Sequence, residues 1–286
     1  MVNTGFRARV MNACASALRL YTHHAPFKRG RGAFIRIIEL LKRRGWPPPL
    51  TDIGEGVAME FEPSLLGWTL FETGHWEALQ TAACLSLIQP GGVVLNVGAN
   101  TGYYALLAAA RAGDQGCVHA FEIQPSMISI LRRNIARNGL EAVVTVVEAG
   151  CFSSACEAVI EGHGDPGSAR IAFAGTGIRV PLITLDQYAA TAPLERVDVI
   201  LIDTEGADFE ILKGAAGLLA AHHPAVIAEV HHLEAFGGSE NELRAFMARF
   251  GYVARPLQGE FSRDLLFVTE GHPPSAESTP AHSSRR

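Results

Sequence analysis

Residues 93–113 read VVLNVGANTGYYALLAAARAG. A short apolar run rich in valine meets a glycine turn, and the turn enters an alanine-rich stretch of helical character. The run 93–97 is a buried strand by length and content, and 101–112 is a helix. Glycines let the backbone approach a ligand at such a turn, and a helix N-terminus favours a negative group there.

Working outward, strands and helices alternate. CVHAFE (117–122) is a strand, and PSMISILRRNIARNG (125–139) is a helix that starts at Pro125 and stops at Gly139. AVVTVVEAG (142–150), VDVILIDTEG (197–206) and PAVIAEVHH (224–232) are strands, with a helix from 208 to about 221. SENELRAFMARFG (239–251) is a helix with a capping box at Ser239 and Glu242. YVARPL and DLLFVTEG form an antiparallel finishing pair. This alternation predicts an α/β fold with a doubly wound, mostly parallel, seven-stranded sheet of Rossmann-like type. Upstream, GVAMEFEP and WTLFETG read as short strands joined by a turn, and GHWEALQTAACLSLIQPGG as a helix.

The boundaries follow composition. Residues 1–50 form a basic helical N-terminal extension, with Phe34, Ile37, Ile38 and Leu41 on one stripe and WPPP after it. That segment carries ten Lys/Arg against Glu39 alone, so the rest of the chain is acidic although the whole is only −5. It offers a surface to an anionic partner or is simply a solvated face; the acidic body argues against nucleic acid. The Phe34–Leu41 stripe could serve a homodimer as readily as it covers the sheet. The main domain is 51–270, with a glycine- and proline-rich loop or hairpin insertion at 161–189, and 271–286 has the composition of a disordered tail. No apolar run reaches about 18 residues, so no spanning helix is expected, and 1–21 lacks a long apolar core for a signal peptide. Five scattered cysteines without a CxxC suit free thiols in a cytoplasmic protein.

The ligand type follows from spacing. Gly98, Asn100 and Gly102 give G-x-N-x-G, not the G-x-G-x-x-G of a dinucleotide fingerprint, and no G-K-[ST] follows. This disfavours a nicotinamide oxidoreductase. Glu122 ends the second strand 26 residues after Asn96, where a carboxylate can accept both hydroxyls of a ribose. An adenosine without a pyrophosphate fits that arrangement.

NVGANTGYY, AFEIQP, VPLITLDQY, VDVILIDTEGADFEILKGA and AVIAEVHH, in this order, resemble the FkbM-type S-adenosylmethionine-dependent methyltransferases. The likeness spans roughly 70–235, and is weaker to 270. IDTEGADFEILKGA after ITLDQY is its most specific part. The resemblance implies S-adenosylmethionine as cofactor, with Gly98, Asn100 and Gly102 under its methionine portion, Glu122 and Ile123 at the ribose, and Glu148, Ala149 and Gly150 beside the adenine. Asn96 stands where the family usually has Asp. An amide still hydrogen-bonds but loses the charge attraction, and a plain turn-stabilising role is equally open.

A hydroxyl acceptor needs a base. Asp203 at the end of the fourth strand is the first candidate, and Glu229 with His231 on one face of the fifth is an oriented pair; capping roles are the alternatives. Asp203, Glu229 and His231 are the catalytic candidates, and no metal is called for. Glu77, Tyr103 and Tyr104 lie close enough in the chain order to reach the cofactor or to pack under the sheet. The expected activity is O-methylation of a small-molecule hydroxyl on a sugar, polyketide or other natural product. The alternative is a noncatalytic or altered adenosine-cofactor-binding module of the same fold.

Overall fold

The computed structural model describes residues 40–44, 46–48, 50–161, 170–192, 194–258 and 263–270. The expected extension over 1–50 and the tail 271–286 lie almost wholly outside them. Three of the ten basic residues, Lys42, Arg43 and Arg44, are among them, and Lys42 pairs with Glu72 at 2.6 Å and lies over the Trp68 ring.

Seven strands form the central sheet. They are β3 (Val93–Val97), β4 (Cys117–Phe121), β5 (Val144–Val147), β10 (Val199–Ile202), β11 (Ala225–Glu229), β12 (Tyr252–Gln258) and β13 (Arg263–Thr269), in the order β12-β13-β11-β10-β3-β4-β5. The pairs β3–β4, β4–β5, β3–β10 and β10–β11 are parallel, and β13 is antiparallel to both neighbours. The mostly parallel seven-stranded expectation and the finishing pair both hold. Strand order reverses at β3, so the crevice between the carboxyl ends of β3, β4 and β10 is the switch point where such folds take ligands.

Both faces are covered, which is why the central strands read as continuous apolar runs. On one face lie α2 (Ala78–Leu87), α3 (Tyr103–Ala112) and α4 (Pro125–Arg137). On the other lie α5 (Leu185–Thr191), α6 (Asp208–Lys213), α7 (Ala216–His222) and α8 (Glu240–Ala248). A second sheet, β6-β9-β7-β8, joins that side: β6 (Gly150–Cys151), β7 (Cys156–Glu161), β8 (Arg170–Ala172) and β9 (Ile178–Ile183). Among the described residues no helix is long and apolar enough to cross a membrane.

Three local readings are corrected. WTLFETG is not a strand. It lies in helix α1 (Leu65–Thr73), begun by Ser64, whose Oγ accepts from Gly67 N at 3.2 Å, and ended by Gly74 at φ 80°. Its aromatic and β-branched content resembled a strand, but the caps and the burial of Trp68 and Leu70 decide for helix. The true partner of β2 (Val57–Met59) is β1 (Thr51–Gly54), across Glu55 and Gly56, both at positive φ as a type I′ hairpin requires. The expected single helix from 208 breaks at Gly214. A Cβ there would strike the carbonyl oxygen of Phe152, and Asp186 caps the second piece by accepting from Gly217 N (2.9 Å) and Leu218 N (2.8 Å). The stretch after 229 also leaves the sheet: β11 ends at Glu229, and His232 adopts φ 60°.

The hairpin is held by two asparagines, Asn134 on α4 and Asn138 capping its C-terminus. Asn138 accepts from Ala58 N (3.0 Å) and donates to Ala58 O (2.9 Å). One turn earlier, Asn134 accepts from Glu60 N (2.9 Å) and donates to Glu60 O and Thr101 O (both 3.0 Å). Asn134→Ala leaves three backbone groups without that partner in a buried place, and urea melts are expected to show a loss of about 2–4 kcal/mol. Asn138→Ala, with its partners less buried, should cost less.

Candidate active site

A cavity of ≈ 350 Å³ opens at the switch point. Its floor is the turn after β3. Gly98 N and Ala99 N both donate to Phe121 O, at 3.0 and 2.9 Å, and Asp203 N donates to Val97 O at 3.0 Å. The turns after β3, β4 and β10 are thereby tied together. Gly98, at φ 83°, lies so close to the Asp203 carbonyl oxygen that a Cβ would overlap it. Its glycine requirement therefore comes from the neighbouring turn as well as from any ligand. Gly102, at φ 104°, is tight for another reason: a Cβ would come within 2.6 Å of Leu131 Cδ1 on α4.

Glu122 is 6% exposed and binds backbone on three sides. Its Oε2 accepts from Asn100 N (2.7 Å), and its Oε1 from Ile123 N and Gln124 N (both 2.8 Å). Burial raises its pKa, and the three N–H groups oppose that rise. An ionised carboxylate has about four acceptor positions, so roughly one is left for a ribose hydroxyl. Glu122 thus shapes the turn at least as much as it faces a ligand. Loss of binding in a Glu122→Ala variant would not isolate a sugar contact.

Beyond Glu122, Ile123, Ala149, Gly150 and Leu182 line the cavity. A Cβ on Gly150 would come within 2.5 Å of Leu182 Cδ2 and 3.1 Å of Ile123 Cγ2, so these elements enclose a narrow apolar slot. Glu148 is corrected: its side chain pairs with Arg132 at 2.7 Å on the surface and does not line the cavity. Strand-end position placed it correctly on the edge but could not tell which way it turns. Asn96 is 1% exposed and sits below the turn on the α2–α3 side of β3, outside the lining. Both of its amide atoms lack a hydrogen-bond partner.

The catalytic candidates converge in part. Asp203 and Glu229 line the cavity; His231 does not, and touches Glu229 through Nδ1 at 3.3 Å. Burial, then Glu77 and Glu205, push Asp203 to about 7. Burial, then Asp203 and Asp208, push Glu229 to about 9, so Glu229 keeps its proton at neutral pH. Asp208 braces this corner: Thr204 Oγ1 donates to its Oδ2 at 2.6 Å and Glu229 N to its Oδ1 at 3.1 Å.

Glu77 enters from the start of α2. It holds φ 41° without being glycine, and Tyr104 OH donates to its Oε2 at 2.9 Å. Burial and Asp264 raise it to about 7. Tyr103 OH meets Thr81 Oγ1 at 3.2 Å, so both tyrosines line the cavity and support α2 at once. Sequence reading missed the outer wall. Arg170 and Ile171 reach the cavity from β8, and Phe152, Phe173 and Phe236 make edge contacts at 5.2–6.3 Å, with Phe236 on the lining. The glycine-rich composition around β8 concealed a strand three residues long.

A model of the methyltransferase FkbM domain matches residues 96–254, more than half of the 286. The chain belongs to the FkbM methyltransferase family. The cofactor of this FkbM-family chain is S-adenosylmethionine. Among curated proteins, the ribosomal protein L11 methyltransferase of Carboxydothermus hydrogenoformans is 34% identical over 71 residues, spanning 25% of this chain and 23% of that protein. The match thus covers about a quarter of that relative's length. Among solved structures, the methyltransferase FkbM of Methylobacillus flagellatus KT is 14% identical, covering 71% of this chain and 60% of that one, with a TM-score of 0.43. Aeropyrum pernix fibrillarin, solved with natively bound S-adenosyl-L-methionine, is 12% identical over 68% of this chain and 76% of its own, at 0.44. A structure described as a rRNA-methylase from Clostridium thermocellum is 11% identical over 67% and 93%, at 0.43.

The residues present in the FkbM-family cavity fit an adenosyl sulfonium. The Ile123–Leu182 slot suits a flat base, the free position of Glu122 a sugar hydroxyl, and the turn 97–100 with Asp203 a short cationic chain.

Proposed function

We propose that the protein transfers the S-adenosylmethionine methyl group to a hydroxyl of a small molecule, such as a sugar or polyketide natural product. The observation that carries this reading is Asp203. Its backbone packs on the glycine turn, its side chain faces the same cavity, and burial with two neighbouring acids holds its pKa near 7. The cofactor supplies a methyl group on a positively charged sulfur, and the chain's residues do the rest. Gly98 and Asn100 bound the site of the methionine portion, Glu122 and Ile123 that of the ribose, and Ala149 that of the adenine, while Gly102 lies off the lining, packed against Leu106 and Leu131. Asn96 lies buried below the turn.

Asp203 accepts the hydroxyl proton as the methyl group arrives, and in-line placement of the acceptor supplies much of the remaining rate. Glu229, protonated and in contact with His231, orients the acceptor as a hydrogen-bond donor. Ile171, Phe236 and the adjoining Phe173, which is 54% exposed, give the acceptor an apolar wall. The mouth carries a clear excess of acid, which favours uncharged acceptors over phosphorylated ones.

Transfer of a labelled methyl group to a panel of neutral polyols, macrolides and phosphosugars tests this. Label should enter an ether of a neutral acceptor. Label on nitrogen or carbon overturns the hydroxyl assignment. Tight cofactor binding with no transfer to any member would favour the cofactor-binding module, for which the orphaned Asn96 amide is the supporting observation.

A further inference from the structure

We infer that the acid-lined end of the cavity reads the charge on the cofactor sulfur, through a proton that Glu77, Asp203 and Glu229 share. On this reading the cluster gives up one proton when the cationic donor binds and regains one from the acceptor hydroxyl during transfer. The inference rests on S-adenosylmethionine being the cofactor and goes beyond the identity of the acceptor.

The geometry is a convergence of four acids from three elements. Glu77 comes from the start of α2, Asp203 and Glu205 from the end of β10, and Glu229 from the end of β11, and all four line one cavity. Behind them, Asp208 on α6 and Asp264 on β13 add to the field. Gln80, with its amide nitrogen turned toward the cluster, donates to Glu77 Oε2 and to Asp264 Oδ2 (2.8 Å) and so joins two of the acids. Tyr104 on α3 donates to Glu77. His231 touches Glu229. Among the described residues the one basic side chain on the lining is Arg170 of β8, and it is paired with Glu205 at 3.5 Å. Glu62 lines the cavity farther along, before α1, and Glu122 is occupied by three backbone N–H groups.

Carboxylates crowded this closely cannot all ionise, and the cluster holds protons at neutral pH. Glu77 and Asp203 lie at about 7: Asp264 raises Glu77, Glu77 and Glu205 raise Asp203, and Asp203 in turn raises Glu229. A positive charge placed over Gly98, against Asp203, favours the ionised form and expels a proton. The charge accounting then closes. The donor bears one positive charge and its demethylated product bears none at sulfur. The hydroxyl loses a proton as its oxygen gains the methyl group, the C–S bond breaks with its electron pair going to sulfur, and Asp203 takes the proton. The cluster returns to the protonation it had when empty, which weakens its hold on the neutral product. Binding of the donor thus also ionises the base that transfer needs.

The test is calorimetric titration of the full chain with S-adenosylmethionine and, separately, with S-adenosylhomocysteine. It is run near pH 7 in two buffers of different ionisation enthalpy, with each ligand's own ionisation measured without protein. The donor should release roughly 0.5–1 proton from the protein, and the product close to none. Between pH 6 and 8 the donor should bind about tenfold tighter, because an acid at about 7 must be ionised in the complex, while the product changes by less than about twofold. Glu77→Gln removes one repelling charge, lets Asp203 ionise before binding, and should cut the release by at least about half. Glu205→Gln, which removes the other charge that raises Asp203, provides the same reading if Glu77→Gln fails to fold. Equal proton release by both ligands, or release unchanged in both variants, overturns the inference and leaves the cofactor assignment standing. No binding of either ligand removes both.

Discussion

Gly98→Ala is expected to abolish cofactor binding and to destabilise the chain. Two independent costs meet at this position. The residue sits at φ 83°, where an L side chain costs about 1–2 kcal/mol. The added Cβ also overlaps the carbonyl oxygen of Asp203, lies 3.0 Å from its carbonyl carbon and 3.2 Å from Thr204 Cγ2. Backbone cannot rotate away as a side-chain tip can, so the turns after β3 and β10 must separate. Overpacking of this kind costs about 1–3 kcal/mol more. The separation also lengthens the Asp203 N to Val97 O hydrogen bond and displaces the base from the floor. Calorimetry should find no cofactor binding, and the melting temperature should fall by about 5 °C or more. Unaltered affinity would show that the turn has slack that this packing denies.

Asp203→Asn should lower methyl transfer by roughly 10²–10⁴-fold, the usual contribution of a positioned base, while the fold persists. The kcat/KM of the parent should rise with pH through about 7, and the variant should lose that limb. Stability must move the other way. Asp203 titrates at about 7 when folded, against an ordinary value of 3.8, because burial and then the charges of Glu77 and Glu205 oppose its ionisation. Between those two values the folded chain binds more protons than the unfolded one, so this group's contribution to stability falls as pH rises. Asparagine carries no such contribution. The variant's advantage is therefore small near pH 4, grows toward pH 7 and is fully present above it. Thermal melts at pH 5 and 8 on both proteins check the sign. Full activity in the variant would move the base to Glu77.

The succession of strands along the chain, the glycine turn and the antiparallel finish were legible because each has a short-range cause. A buried parallel strand must be apolar on both faces, and a turn at positive φ favours glycine. The family motifs were legible for the same reason, and the structure explains why they travel together: Asp186 of ITLDQY caps the helix that begins after EILKGA. What sequence could not supply was direction and pairing across distance. Glu148 lies on the expected edge and turns outward to Arg132. Asn134 and Asn138 read as ordinary polar positions on an amphipathic helix, yet they hold a hairpin some 75–80 residues earlier. Helix α1 was hidden by strand-like residues, because its caps outweigh its interior. The acid convergence was half visible. Asp203 and Glu229 stand at strand ends, but Glu77 and Asp264 join them only in three dimensions.

The contact between Gly98 and the Asp203 carbonyl also limits how this enzyme could be re-engineered. One side of the donor site is made of main chain pressed against main chain, and no substitution can hollow it out. On the proposed reading the opposite side is Ile123 and Leu182, both trimmable to smaller residues. Room for a bulkier alkyl donor must therefore be carved there, at the expense of grip on the flat ring rather than on the sulfur.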